Sequence, residues 1–201
     1  MIDNFELIKS LFYFNEANNM FFHCQIVQRA KDHKDEERSI KEGAIKTYFI
    51  RSSEHLEKLK PEIILLCEHY GARAYINVAG KEFRDVNNEL LFQLSLNNKL
   101  NNVVNPRKLL NSAAGKVLSH SKKWIIDIDD ISMKDDIITW LCMYFENPDI
   151  RDFIITEVPT RYGIHLITVP FNTKEFNNRF PDVMIHKNSM GTLLYYPKCL
   201  K

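Results

Sequence analysis

The segment 124–130, with the sequence WIIDIDD, constrains the fold more than any other part of the chain. Its first three residues are large and apolar, which favours a buried β-strand. Asp127 and Asp129 then stand two residues apart, so in a strand they point to the same face, roughly 6.5 Å apart. Two such carboxylates repel each other unless a cation lies between them, and oxygen ligands suit Mg²⁺ or Mn²⁺. The alternative is a strand that ends in an acidic turn, with Asp130 or Ser132 capping the next helix.

The composition is that of an ordinary globular protein. The chain has 201 residues, 45% hydrophobic and 11% aromatic, enough for one large domain or a core with an added lobe. The net charge of +1 excludes a globally basic surface for nucleic acid but is compatible with a local basic groove. The four cysteines form no CxxC pair, which argues against a zinc ribbon. The sequence shows no signal peptide and no membrane-spanning run, so we expect a cytoplasmic protein without membrane contact.

The residues before 121 are predicted to form an αβ lobe (1–120). Strand patterns cover 21–28, 45–51 and 72–79, and helical patterns cover 1–17, 54–70, 82–94 and 106–120. Ser52 or Ser53 is expected to cap the second helix, and Gly71 is expected to end it. The charge run 29–42 is predicted to be a solvated hairpin loop; the alternative is a segment that touches a polyanion.

From residue 121 the pattern becomes strand, helix, two strands, helix and strand. The strands are predicted at 124–129, 150–158, 164–170 and 183–186, the helices at 135–146 and 172–176, and a last hairpin pairs 183–186 with 192–196. This order is ferredoxin-like, or RRM-like. We therefore predict an α+β fold in which an RRM-like antiparallel sheet with packed helices (121–201) joins the N-terminal lobe in one compact domain.

A second motif lies at 160–165, with the sequence TRYGIH. Gly163 permits a sharp entry into the strand that follows. The guanidinium of Arg161 can hold phosphate oxygens in a fork, and His165 can donate one hydrogen bond, so the turn is suited to a triphosphate. The alternative for His165 is a strand histidine whose hydrogen bonds are satisfied within the fold.

A third motif lies at 182–188, with the sequence DVMIHKN. Asp182 precedes the predicted strand, and His186 and Lys187 stand at its far end. The alternative is an edge hairpin with a solvated tip.

Together the three motifs resemble those of the archaeo-eukaryotic primase superfamily, which includes the primase-polymerases. The first motif of that family is an apolar strand ending in D-x-D or D-x-E, similar to WIIDIDD. Its second is a small residue, any residue and a histidine after a basic turn, similar to TRYGIH. Its third is an acid on a later strand, for which this chain offers Asp182, with Met184 as the alternative occupant of that position. The resemblance covers roughly residues 45–196 and implies an RRM-like sheet with an N-terminal αβ lobe.

The resemblance implies two-metal nucleotidyl transfer. Asp127, Asp129 and Asp182 are the implied metal ligands, for two Mg²⁺ or Mn²⁺ ions roughly 4 Å apart. One ion activates a 3′-hydroxyl, and the other bridges the triphosphate and stabilises the leaving pyrophosphate. Asp127, Asp129 and His165 are therefore the implied catalytic residues.

The remaining implied contacts are to the nucleotide and the template. Phosphate contacts are expected from Arg161, His165, Lys187 and Arg51, and base stacking from Tyr75 and Tyr162. The implied partners are nucleoside triphosphates, a single-stranded DNA template and a replicative helicase. Two alternatives stay open: a primase-fold module that has lost catalysis but still binds nucleic acid or nucleotide, and a metal-dependent nuclease.

Overall fold

The strands of the chain pair in two antiparallel sheets, in a computed structural model that describes residues 1–12, 14, 19–33, 42–119, 121–146, 149–187 and 191–200. Six α-helices accompany the sheets in the described residues. The predicted α+β class with antiparallel sheets is confirmed. None of the helices described is long and apolar enough to cross a membrane.

The first sheet contains strands from both ends of the chain. They are β1 (Ile2–Asp3), β2 (Met20–Gln28), β3 (Gly43–Ile50), β4 (Arg73–Ile76), β5 (Lys81–Glu82) and β10 (Thr192–Tyr196). Their order across the sheet is β1-β10-β4-β2-β3, and β5 pairs with the start of β2. The last strand of the chain thus lies inside the sheet that the first 120 residues build.

The second sheet contains β6 (Trp124–Ile128), β7 (Ile154–Pro159), β8 (Ile164–Thr168) and β9 (Met184–His186). Its order is β7-β8-β6-β9, and every neighbouring pair is antiparallel. Two helices, α5 (Lys134–Tyr144) and α6 (Thr173–Arg179), follow β6 and β8 along the chain.

Four helices belong to the first half of the chain. They are α1 (Phe5–Leu11), α2 (Ser53–Tyr70), α3 (Phe83–Lys99) and α4 (Pro106–Lys116). The hydroxyl of Ser52 accepts a hydrogen bond from the amide of His55 at 3.1 Å, and Gly71 ends α2 in the left-handed conformation at φ 54°. Both predicted ends of this helix are confirmed.

Alternate residues of β6 face two different hydrophobic cores. Ile125 packs in the core that also contains residues of the first sheet, such as Cys24. Ile126 and Ile128 pack in a second core with the apolar face of α5. Because side chains alternate along a strand, Asp127 shares the face of Ile125 and points towards the first sheet.

Two sequence expectations are wrong. The predicted last hairpin does not form, because β9 pairs with β6 while β10 pairs with β4 and β1. The strand predicted from residue 150 begins at Ile154, because Ile150–Asp152 forms a 3-10 turn. The charge run connects the antiparallel pair β2 and β3, as predicted for a hairpin loop, although Asp32 within it is buried in an ion pair with Arg73; residues 34–41 of that run lie outside the described part of the chain.

Candidate functional site

A cleft of about 410 Å³ lies between the two sheets. The second sheet lines it with Asp127, Asp129 and His165, and the first sheet lines it with Arg29 and Arg73. The cleft is within the size range of pockets that bind small ligands and cofactors. One wall is thus rich in acids and imidazoles, and the opposite wall is rich in guanidinium groups.

Asp127 lies between two histidines on neighbouring strands. Its Oδ1 is 3.4 Å from Nε2 of His165, and its Oδ2 is 3.9 Å from Nε2 of His186. Burial alone would raise the pKa of Asp127, but the two imidazoles outweigh burial and hold that pKa well below its ordinary value. Asp127 is therefore ionised at neutral pH.

His165 is fixed from the opposite sheet. It is the direct cross-strand partner of Asp127, which explains their contact. A hydrogen bond joins its Nδ1 to Oγ1 of Thr192 on β10 at 2.9 Å. The imidazole is buried, and with one ring nitrogen held by Thr192 the other faces Asp127 and the cleft. Thr192 therefore positions His165. No sequence pattern indicates this role, because Thr192 lies outside the three motifs.

Gly163 is required by a close backbone approach. A β-carbon at this position would lie 1.8 Å from the carbonyl oxygen of Ile128. The turn is closed by a hydrogen bond from the amide of Thr160 to the carbonyl oxygen of Gly163 at 2.9 Å. Glycine therefore allows the turn to pack on the end of β6, and Arg161 from the same turn lines the cleft beside the two acids.

The guanidinium wall is held by side-chain contacts. Arg73 and Asp32 form a buried ion pair, with Nε of Arg73 2.7 Å from Oδ2 of Asp32. This pair anchors the 3-10 turn Ala30–Asp32 to β4. Arg29, at the start of that turn, donates a hydrogen bond to the hydroxyl of Tyr75 at 3.1 Å. Sequence reasoning missed Arg29 and Arg73 as site residues; the only available signal was an arginine within the apolar strand ARAYI.

Three predicted site residues lie outside the cleft. Asp182 is exposed in the turn before β9, and Arg51 is exposed before α2. Lys187 follows β9, where its ammonium donates to the hydroxyl of Thr173 at 3.0 Å. The β9 residue opposite Asp127 is Met184, so the position directly across from the first acid carries a thioether.

A divalent cation in this cleft would need ligands beyond its carboxylates. Within the described ranges, no group of three or more His, Cys, Asp or Glu side chains is arranged to hold a metal ion by itself. Mg²⁺, however, is commonly bound by one or two carboxylates together with waters and substrate phosphates. Asp127 and Asp129 are the carboxylates of this cleft, and arginines line the wall that faces them.

No protein-family model, no curated protein and no solved structure matches this chain. Its function is therefore inferred from the chemistry of the cleft and the order of its motifs.

Proposed function

We propose that this protein is a nucleotidyltransferase of the primase-polymerase type, which joins nucleotides on a nucleic-acid template with Mg²⁺ or Mn²⁺. The observation that carries the proposal is the shared cleft, in which Asp127, Asp129 and His165 face Arg29 and Arg73. A metal-bound triphosphate needs both walls, since carboxylates hold the metal and guanidinium groups hold the phosphate oxygens.

The arrangement of the second sheet supports the proposal. Its elements follow one another as strand, helix, strand, strand, helix, strand, the order of ferredoxin-like and RRM-like sheets. Asp127 belongs to β6, a central strand, Asp129 follows directly after the end of that strand, and His165 belongs to its neighbour β8. The primase resemblance requires the same relation between its first and second motifs.

The aspartates, the arginines and the histidine of the cleft have different tasks. Asp127 and Asp129 hold the metal, which when bound neutralises phosphate charge and helps the pyrophosphate leave. Arg29 and Arg161 hold phosphate oxygens and orient the triphosphate, and Arg73 supports the same wall through its ion pair with Asp32. His165, fixed by Thr192 through Nδ1 and facing Asp127 through Nε2, keeps Asp127 ionised.

An aromatic side chain completes the nucleotide site. The ring of Tyr162 is 65% exposed at the edge of the cleft and carries the guanidinium of Arg161 on its face at 4.7 Å. An exposed ring of this kind can stack on a base of the nucleotide or the template.

The decisive experiment is primer extension with labelled nucleotides, a single-stranded template and either Mg²⁺ or Mn²⁺. We expect wild-type protein to lengthen the primer, and Asp127→Asn and Asp129→Asn to lower the rate by at least about 100-fold. Asp130→Asn is the matched control, because Asp130 caps the turn at Ser132, is exposed and does not line the cleft. Failure of the wild type to extend with either metal, or full activity of Asp127→Asn, contradicts the proposal.

One observation favours a second function, that of a binding module without catalysis. Met184 stands opposite Asp127, and Asp182, the nearest acid in the third motif, is exposed outside the cleft. Such a module binds single-stranded DNA with strong salt dependence but binds the metal–nucleotide complex weakly. Calorimetry with both ligands separates the two functions. Shortening of the primer in the extension assay would instead identify a nuclease.

A further inference from the structure

Tyr75 lies where two arginines of the cleft meet. Its hydroxyl oxygen accepts a hydrogen bond from Nη1 of Arg29 at 3.1 Å and another from Nη1 of Arg73 at 3.4 Å. All three residues line the cleft. The first sheet thus brings two guanidinium groups to one neutral oxygen, although cations placed so close together repel each other.

The two arginines depend on Tyr75 to different degrees. Arg73 also forms the buried ion pair with Asp32, in which its Nε lies 2.7 Å from Oδ2 of the carboxylate. Arg29 forms no ion pair within the described ranges, where the hydroxyl of Tyr75 is its one side-chain acceptor. Because a charged partner holds a guanidinium more strongly than a neutral one, Arg73 keeps its position without Tyr75, whereas Arg29 does not.

The ring of Tyr75 is fixed by packing. It packs with Ile2 against the buried cluster of Leu193, Tyr196 and Leu200. Strand pairing adds a second constraint, since Tyr75 on β4 is the direct partner of Leu193 on β10. A side chain held in this way gives its hydroxyl group a fixed position. The packing therefore favours a role for the hydroxyl over base stacking by the ring.

We propose that Tyr75 is a positioning residue of the nucleotide site, which holds Arg29 in the direction of the triphosphate. A guanidinium group has five N–H donors, and the hydroxyl of Tyr75 takes one of them. Further donors of Arg29 then bind phosphate oxygens from a preset position, which costs less entropy than ordering a mobile arginine. The inference rests on the proposed function, because it assigns a task within that site, but its main test does not require catalysis.

The test is a double-mutant cycle in the full chain. Calorimetry with a nucleoside triphosphate measures the affinity of the wild type, Tyr75→Phe, Arg29→Gln and the variant that combines both changes. Phenylalanine keeps the packed ring and removes only the hydroxyl. We expect each single change to weaken binding about tenfold, and the combined variant to bind no more weakly than Arg29→Gln.

Tyr196→Phe is the matched control. Tyr196 belongs to the same cluster, and its buried hydroxyl has no hydrogen-bond partner in the part of the chain that the structure describes. The same chemical change at this position should leave the affinity for the triphosphate unchanged. Equal weakening by Tyr196→Phe overturns the proposal, because a disturbed cluster then explains the loss of binding.

Primer extension supplies a second measurement. We expect Tyr75→Phe to raise KM for the nucleotide about tenfold and to keep kcat within about twofold of the wild type, because Arg29 holds the phosphates before and during the reaction. A loss confined to kcat overturns the proposal.

The cycle separates this proposal from the proposed function. Unchanged triphosphate binding in Tyr75→Phe overturns the positioning role, and the proposed function stands if the wild type extends primers. Additive losses in the combined variant also overturn the role, because Tyr75 then acts independently of Arg29. Coupled losses of binding without primer extension support the positioning role and refute the proposed catalysis. A wild-type protein that binds no triphosphate overturns both.

Discussion

The two walls of the cleft are positioned by different means. On the acidic wall, Asp127 and His165 are paired residues of adjacent strands, so backbone hydrogen bonds of the sheet place them. On the guanidinium wall, Arg73 belongs to β4, but its guanidinium and that of Arg29 are held by side-chain contacts to Asp32 and Tyr75. A wall built by strand pairing tolerates the loss of a single side chain, whereas a wall built on a buried ion pair does not.

The largest expected effect is therefore on the guanidinium wall. Arg73→Met leaves Asp32 buried without its partner, since the two side chains are 8% and 2% exposed. We expect the free energy of unfolding to fall by about 3–5 kcal/mol, measured by urea denaturation. Arg151→Met is the control, because Arg151 forms its ion pair with Asp149 at the exposed surface, and we expect almost no change in its midpoint. If Arg73→Met and Arg151→Met lower the free energy of unfolding equally, the guanidinium wall does not depend on its buried ion pair.

The difference between strand pairing and side-chain contacts also explains which parts of the site can be predicted from the sequence. The acidic wall is predictable, because strand alternation sets the face of Asp127, Asp129 follows just past the strand, and the motif order brings His165 to the neighbouring strand. The cap at Ser52 and the end of α2 at Gly71 are predictable for the same reason, since both depend on local geometry.

The guanidinium wall is not predictable from local patterns. The pair Arg73–Asp32 joins residues from separate segments, and neither residue type is expected to be buried until its partner is known. The placement of β10 is also non-local: residues 192–196 carry a strand pattern, but nothing in that pattern says that they pair with β4 instead of β9.

The second prediction tests whether low pH destabilises the protein through a buried histidine of the first sheet. His23, on β2, is buried, and burial together with the charge of Lys81 lowers its pKa from 6.5 to about 4. The unfolded chain therefore takes up a proton at a higher pH than the folded chain, so stability falls as the pH drops from 6.5 to 4. Protonation of His23 lowers the free energy of unfolding by about 3 kcal/mol over that pH interval.

Urea denaturation at several pH values in this range measures how steeply the free energy of unfolding changes with pH. We expect the profile of His23→Gln to be flatter than that of the wild type, whatever its stability at neutral pH. A profile with the same slope in both proteins rules out His23 as the cause.

The third prediction tests the backbone contact that completes the acidic wall. Gly163→Ala forces the carbonyl group of Ile128 to move, because the added carbon lies 1.8 Å from its oxygen. We expect a destabilisation of roughly 1–3 kcal/mol in thermal unfolding, together with a loss of nucleotide binding as the turn withdraws Arg161. Gly115→Ala is the control, because Gly115 lies within α4 and a β-carbon added there has no neighbouring atom within 4 Å. It should stabilise the protein by up to about 1 kcal/mol.

The smallest expected effect concerns the position on β9 that faces Asp127. Met184 is its cross-strand partner and is 59% exposed, so an acid fits there without repacking a core. If Asp127 and Asp129 hold a divalent ion, Met184→Asp adds a third carboxylate and should tighten Mn²⁺ binding about tenfold, because affinity follows the charge of the ligands. Calorimetry measures this, with Met184→Asn as the uncharged control. Identical Mn²⁺ affinities of the two variants would mean that the acidic wall does not bind metal. The carboxylates of the cleft would then interact only with the histidines and arginines around them.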